Sequence, residues 1–515
     1  MEGTIVSLVP PLTAIILCIV LREAILALFI GIFVGTLLLY SFNPVTAFFR
    51  AADDVMLASL TDPDHAITLF FTILIGGLIE IFNQSPAART LLVHLTQYLR
   101  NRRTTNLAIW FAGVVFFIDD YANSLIVGNS FRPIVDRMKI SREKLAYLVD
   151  TTSAPITSLM LVSTWVGFEI SLLNDALTGT SHEQMTGYSL FLLSIPYRFY
   201  PVLAIIFAFL VCWMCRDFGP MVEAETRVLA SAETEQEIQV SQEKLHWKHY
   251  LAFFPILFLL ISSIVILAVN GAQNMESQSE QGFWQYLVNI FSAADAFRCL
   301  LWASMVSGVV SLAVHTLILK ERLSLVFQHF MDGCRAMFIV CVILVLAWSI
   351  GDVCQRLKTE VYVASLLGDG FNPSFLPLFT FLIAAGISFA TGTSFGTMSI
   401  LIPITVPLAL QYGEHNVDIL LGTVGSVLGG AIFGDHCSPL SDTTILSSGA
   451  SGCSVSAHVN TQLPYALLVG MVSIFCLLLI PLAWTSSILL LIIGVILLIA
   501  ALYWLGQKVE NTSVE

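Results

Sequence analysis

Long apolar stretches separated by short polar ones dominate the chain. Thr4 to Leu21, Ala24 to Tyr40, Tyr250 to Asn270 and Cys299 to Leu319 contain no Asp, Glu, Lys or Arg, and a helix needs roughly 20 apolar residues to cross a bilayer core. Leu463 to Leu505 is equally free of charge but too long for one pass, and Trp484-Thr485-Ser486-Ser487 offers the turn between two. This pattern predicts an all-α polytopic membrane protein. Composition agrees, with 57% hydrophobic and 11% charged residues against about 25% charged in soluble domains. The mean hydropathy is +0.84. A soluble enzyme is excluded.

Lys and Arg in short loops mark the cytoplasmic side. With Arg22 inside, the loop from Ser41 to His65 is external, and Arg89, Arg100, Arg102 and Arg103 return to the cytoplasm. Leu107 to Pro133 looks like a crossing, yet Arg132, Arg137, Lys139, Arg142 and Lys144 around its end would then lie outside. A re-entrant hairpin, broken near Asp119-Asp120 and Asn123-Ser124, keeps all five inside. Non-helical backbone at that depth must line a cavity or be buried in protein. Phe375 to Gln411 is 37 residues without a charge, roughly 55 Å of helix, and Gly392, Pro403 and Pro407 make it a second hairpin entered from outside. Counting onward predicts about 11 full crossings, an external N-terminus and a cytoplasmic C-terminus.

The two hairpins align. Ser124 stands nine residues before Pro133, and Ser394 nine before Pro403. Each hairpin is followed by a crossing broken beside an acid, at Asp150-Thr151-Thr152-Ser153-Ala154-Pro155 and at Asp435-His436-Cys437-Ser438-Pro439. Opposite entry of the two hairpins makes the halves inverted repeats, the organisation of secondary transporters, whose sites form where interrupted helices meet near the midplane. The expected layout is an N-terminal helix over 1–21, a first repeat over 22–215, a cytoplasmic linker over 216–249 and a connecting helix with an external loop over 250–297. A second repeat over 298–484 and a C-terminal helix with its tail over 485–515 complete it.

The candidate site follows from these breaks. Charged side chains at mid-bilayer are costly, and Asp119, Asp120, Asp150, Asp435 and Asp442 fall in or beside the broken elements. Asn123, Ser124, Thr151, Ser153, Thr393, Ser394, Ser438 and Thr443 add hard oxygen donors suited to Na⁺ rather than a transition metal, and His436 adds one imidazole. A carboxylate in such a place holds a proton or a cation, which gives exchange. Asp150 and Asp442 also read as helix caps, and His436 as a satisfied core histidine. Glu80 and Asp352 sit late in matched crossings, as a lining pair or as interfacial residues.

A net charge of −13 argues against a nucleic-acid partner. The ten cysteines show no disulfide framework, and Cys212-Trp213-Met214-Cys215 lacks a partner pair. No cofactor is expected. Neither is a cleaved signal peptide, since Met1-Glu2 runs into the first span without a basic region.

Phe117-Ile118-Asp119-Asp120-Tyr121-Ala122-Asn123-Ser124 with Arg132-Pro133, the Asp150 to Pro155 break, and Gly434-Asp435-His436-Cys437-Ser438-Pro439-Leu440-Ser441-Asp442-Thr443-Thr444 resemble the NhaC-type sodium/proton antiporters of the ion transporter superfamily. The resemblance implies Na⁺/H⁺ exchange in pH homeostasis across a bacterial inner membrane, with the bilayer as solvent. Li⁺ or a small organic anion stand as further cargo, and a homodimeric assembly is left open. Malate/lactate and amino-acid antiport within the same family remain alternatives. So do a channel and, more distantly, an intramembrane aspartyl protease, whose GxGD signature is missing before Asp435.

Overall fold

Helices begin where a short polar side chain can accept from the free N–H groups of the first turn. The computed structural model describes residues 2–21, 23–85, 99, 101–178, 185–230, 251, 254–274, 286, 290–291, 293–367, 372–413, 417–482 and 486–509. The chain is almost entirely helical. It starts with α1 (Val9–Leu21), α2 (Ala24–Leu39), α3 (Pro44–Arg50), α4 (Leu57–Thr61) and α5 (Pro63–Gln84). Asn43 caps α3 and Asp62 caps α5, each followed by a proline at the first helical position, where its missing N–H costs nothing. The stretch Ser41 to His65 is therefore largely helical, including a π-helical turn at Ala51–Met56, and His65 belongs to α5. Charge counting saw only a loop there.

The first hairpin consists of α6 (Arg102–Val115) and α7 (Asp120–Arg137). The crossing after it is broken into α8 (Arg142–Thr151), the single turn α9 (Ala154–Thr157) and α10 (Val166–Leu177). Then come α11 (Gly187–Ser194) and α12 (Phe199–Met214), which form a span bent by 49°. The amphipathic α13 (Pro220–Ala230) follows, then α14 (Phe254–Asn274), α15 (Ala296–Ala313), α16 (Leu323–Ala336), α17 (Phe338–Arg356) and α18 (Thr359–Leu367). The second hairpin is α19 (Leu376–Thr391) and α20 (Ser394–Gly413), and its broken crossing is α21 (Val417–Cys437) and α22 (Asp442–Ser451). The chain closes with α23 (Val455–Leu479) and α24 (Ser487–Leu505). Among the described residues nine helices are long and apolar enough to cross a membrane, or ten with the bent pair. The expected count of about eleven also used Ile5–Leu21 and Ala24–Leu39, which are shorter apolar helices. The turn at Trp484-Thr485 and most of the Glu-rich linker, 231–249, lie outside the described residues.

The halves interlock by exchange. Arm α7 of the first hairpin packs on α22, beyond the second break, and arm α20 of the second hairpin packs on α10, beyond the first. Glycines set the closest approaches. A Cβ at Gly113 on α6 would fall 1.9 Å from Thr152 Oγ1 in the first break, and one at Gly392 would fall 2.7 Å from the Leu440 backbone in the second. Gly392 also has a φ of +70°, which lets α19 end at Thr391 and α20 begin at Ser394. Each hairpin thus touches the break of its own half with a residue that has no side chain.

Two further segments fix the packing. The segment after Lys320 forms α16, which crosses α5 where a Cβ at Gly333 would meet Gly76 O at 2.2 Å, a small-residue contact of the kind that lets membrane helices approach. The start of the linker is docked rather than solvated. Glu225 on α13 pairs with Arg102 and accepts from Ser141 N at 2.7 Å, Arg227 pairs with Glu143 at 2.5 Å, and the Lys144–Asp217 pair is joined by Tyr465 Oη at 2.6 Å. A short antiparallel pairing of β1 (Arg216–Asp217) with β2 (Gln507–Lys508) ties the same face to the C-terminal tail.

Candidate ion site at the crossed breaks

The broken helix α8 ends in a buried polar cluster. Asp150 lies in its last turn, fully buried, and it caps no helix: Ser141 caps α8 and Ser153 caps α9. Its Oδ2 accepts from Gln462 Nε2 at 2.6 Å and from Thr444 Oγ1 at 3.3 Å, and faces His458 Nε2 at 3.2 Å. Gln462 Nε2 also donates to the carbonyl of His436 at 2.5 Å, so one amide ties Asp150 to the second break. Asp150 Oδ1, Gln462 Oε1 and His458 Nδ1 are buried without a hydrogen-bond partner among the described residues. Buried polar atoms in this state are costly, and three of them around one carboxylate leave capacity for a cation or a proton.

His436 is differently employed. Thr151 Oγ1 donates to Tyr147 O at 2.7 Å and bonds His436 Nε2 at 3.1 Å, while Tyr200 Oη meets His436 Nδ1 at 2.7 Å. With the Thr151 proton committed, the ring donates from Nε2 and accepts the Tyr200 hydroxyl at Nδ1. Both nitrogens of this imidazole are occupied, Nε2 joining the two breaks and Nδ1 tying the second break to α12.

Asp435, one residue earlier in the last turn of α21, is buried and faces Ser394 and Ser441, with Asp150 and Asp442 as neighbouring charges. Ser394 opens α20 and donates to Ala431 O at 3.2 Å. Ser441, not Asp442, caps α22, and its hydroxyl lies 2.9 Å from Thr443 Oγ1. Asp442 is exposed and accepts from Tyr121 Oη at 3.3 Å. Ser438 Oγ accepts from Leu440 N at 3.2 Å, and Thr393 Oγ1 from Gly396 N at 3.2 Å. Both shape local turns.

On the first hairpin, Asp119 caps α7 through Ala122 N at 2.8 Å and borders a small cavity of 30 Å³ against α5 and α14. Asp120 is buried and faces Trp165. Asn123 bridges the hairpin to the break, with Nδ2 donating to Gly113 O at 2.7 Å and Thr152 O at 2.6 Å. Its Oδ1 and Ser124 Oγ are buried and unpartnered. Asp150, Thr151, Asp435 and His436 therefore gather at one place, Asn123 touches it through Thr152, and Asp119 and Asp442 stand toward its rim.

Sequence reasoning overlooked the partners on α23 and one buried cation. His458, Thr461 and Gln462 form a polar stripe near the start of a mostly apolar helix, a spacing that places them on one face. Arg198 is fully buried and pairs with Glu169 at 2.8 Å, its guanidinium also donating to Ser158 O at 2.5 Å. That bond holds the non-helical stretch between α9 and α10. Because Glu169 offsets it, Arg198 offers no free charge to an anionic solute.

Comparison with known proteins agrees with this architecture. A family model described as the Na⁺/H⁺ antiporter family matches residues 156–482. An uncharacterised protein of Haemophilus influenzae is 32% identical over 480 residues, covering 91% of this chain and 89% of its own. The malate-2H⁺/Na⁺-lactate antiporter of Bacillus subtilis is 33% identical over 147 residues, 28% of this chain and 29% of its own. In fold, the chain is similar to the YdaH transporter of Alcanivorax borkumensis, described as having an unusual topology, with a TM-score of 0.58 at 15% identity over 85% of this chain and 89% of that one. The protein is a multi-pass membrane transporter with two inverted repeats, each built from a hairpin and a broken helix, and it belongs to the Na⁺/H⁺ antiporter family.

Proposed function

We propose that the protein exchanges Na⁺ for H⁺ across the bacterial inner membrane by alternating access, with Asp150 as the shared carboxylate and Asp435 as its neighbour in the second break. The observation that carries this reading is the arrangement at Asp150. One carboxylate oxygen is held by Gln462, Thr444 and His458, and the other is buried with no partner. A lone negative charge in a water-poor cluster needs an offsetting positive one. Na⁺ at Oδ1, with Gln462 Oε1 and backbone carbonyls at the breaks, supplies it in one state; a proton shared between Asp150 and His458 supplies it in the other.

The two neutralisers compete. Sodium leaves when the proton arrives, and exchange becomes obligatory if only neutralised forms of the cluster let the hairpins move. The crossed packing supports a movable element, since a shift of one hairpin against its break displaces the post-break helix of the other half. Asp435 with Ser394 and Ser441 forms a second oxygen set that can pass the ion on. The shortage of uncommitted basic groups around the cluster favours an inorganic cation over an organic anion.

The test uses purified protein in liposomes with a pH-sensitive dye trapped inside. Na⁺ pulses should drive proton movement through the wild type, while Asp150→Asn and Asp435→Asn should insert normally and show none. A mutant that exchanges at the wild-type rate has lost nothing essential, and the residue concerned would then be structural.

A further inference from the structure

A cavity of about 480 Å³ opens at the end of the broken crossing opposite Arg142. Its walls come from the π-helical turn and α4, which with α3 make up the α3–α4 cap, and from the start of α5, the end of α10, the end of α17 and the second half of α20. It is separate from the Asp150 cluster. Toward the start of α10, Phe395 on α20 meets Trp165 and Phe168 at ring-centroid distances of 4.8 and 4.5 Å. Asp175 lies ten residues beyond Trp165, roughly 15 Å along the helix.

The cavity has the size of a small-molecule site, roughly 300 Å³ or more, and is far larger than a bare Na⁺ requires. Its lining divides by chemistry. Leu172, Pro403, Pro407 and Leu410 give an apolar wall; Asp62, Asp175 and Asp352 give three carboxylates, and no Lys or Arg lines it among the described residues. Two of the acids are committed. Asp62 caps α5, and Asp352 holds Arg356 at 2.9 Å. Among the described residues the Asp175 carboxylate pairs with His65 Nε2, at 3.3 Å through Oδ1, and its Oδ2 lies beside Gly351 on the cavity wall.

The same wall carries a second signal. The His65 ring stacks flat on Trp348 at 3.8 Å with an interplanar angle of 4° and is held by its Nδ1 to Ser59 O at 2.8 Å. Trp348 lines the cavity, is 1% exposed, and its indole Nε1 has no hydrogen-bond partner among the described residues. Buried indole N–H groups usually find an acceptor. A carboxylate with an unsatisfied donor close by, in a cavity that also has an apolar wall, matches a solute with a cationic head and an acceptor close to it.

We propose that this cavity binds a small organic solute bearing an ammonium group and a hydrogen-bond acceptor, with Asp175 taking the ammonium and Trp348 Nε1 donating to the acceptor. The inference goes beyond Na⁺/H⁺ exchange, and its readout is binding, so it fails or stands apart from the reading of Asp150.

Thermal unfolding of the purified full chain in detergent and K⁺ buffer, titrated with aminobutanol, butylamine, butyrate and Na⁺, is the test. Aminobutanol should stabilise saturably, butylamine more weakly, and butyrate not at all. Asp175→Asn should weaken aminobutanol by about tenfold or more, the size of a lost charge-assisted hydrogen bond. Trp348→Phe, which keeps the stacking surface, should reduce aminobutanol to the level of butylamine. Unliganded melting temperatures of both variants report their folding, and His65→Gln serves as a second variant on the same wall should Asp175→Asn fail to fold. Equal stabilisation by butyrate, an undiminished response in Asp175→Asn, or stabilisation by Na⁺ alone would overturn the proposal, the last making the cavity a vestibule for hydrated cations.

Discussion

Asp150 and His458 stand 308 residues apart in the chain and 3.2 Å apart in space. The contact exists because α8 stops at the first break and α23 passes beside it, with Gln462 one turn further along bonding both Asp150 and the His436 carbonyl. Two histidines therefore border the same cluster in different conditions. His436 spends both nitrogens on Thr151 and Tyr200, whereas His458 Nδ1 remains without a partner.

That difference separates two mutants. His458→Gln removes a group able to take a proton beside Asp150 and should slow exchange about a hundredfold, the lower range for a lost proton-transfer group, while reshaping its pH profile. His436→Gln should instead lower the melting temperature and scale the rate without moving the profile. Exchange rates across pH for both variants, beside their unfolding curves, decide the matter; identical effects would mean that neither imidazole carries the proton.

The buried pair Arg198–Glu169 makes a stability prediction. Arg198→Met leaves Glu169 charged, buried and alone, and breaking such pairs costs about 3–5 kcal/mol. The double variant Glu169→Gln with Arg198→Met removes the orphaned charge and should regain part of that loss, though Ser158 O still lacks its donor. Chemical or thermal unfolding in detergent measures both. If the double variant is no better than the single, the loss lies in the bond to the broken segment rather than in the charge.

The hairpins and breaks were legible in the sequence because a membrane tolerates polar backbone only where protein covers it, so Asp150-Thr151-Thr152-Ser153 and Asp435-His436 inside apolar runs mark interruptions directly. Gly392, and the offset from Ser124 to Pro133 repeated from Ser394 to Pro403, exposed the repeat. His458, Gln462 and Tyr200 were missed because each sits in a long helix whose pattern is complete without it, and Arg198 because it stands at the bend before α12, inside a run that reads as one span. Their roles come from which helix lies alongside. Arg198 and Glu169 still carried a signal, as charges inside predicted spans demand a partner. The first turns of α3 and α5 hid behind the charges of the segment that contains them.

Near the α3–α4 cap, pH acts through Asp54. Its carboxylate accepts from Tyr40 Oη at 2.5 Å and pairs with Arg356 at 2.7 Å. The Tyr40 hydrogen bond, with Arg356 and Arg50 adding to it against partial burial, holds its pKa below the ordinary 3.8. A lowered folded-state value means that this stabilisation is present above the ordinary carboxylate range and is lost as pH falls through the lowered value. Asp54 is 33% exposed, so solvent screening limits the gain to about 1 kcal/mol or less. Asp54→Asn should melt lower than the wild type near neutral pH, and the gap should close under acid. A gap that persists below the lowered value would assign the effect to packing.

The central claim is that Na⁺ and H⁺ neutralise the same carboxylate at Asp150. Apparent Na⁺ affinity, measured by proton movement in liposomes from about pH 6.5 to about 9, tests it most directly, because competition for one site makes that affinity follow proton occupancy. The account predicts that affinity rises steadily as pH rises, that low pH inhibits in a way excess Na⁺ relieves, and that Asp150→Asn shows no Na⁺-driven signal at any pH. A Na⁺ affinity indifferent to pH, or full exchange in Asp150→Asn, would contradict it.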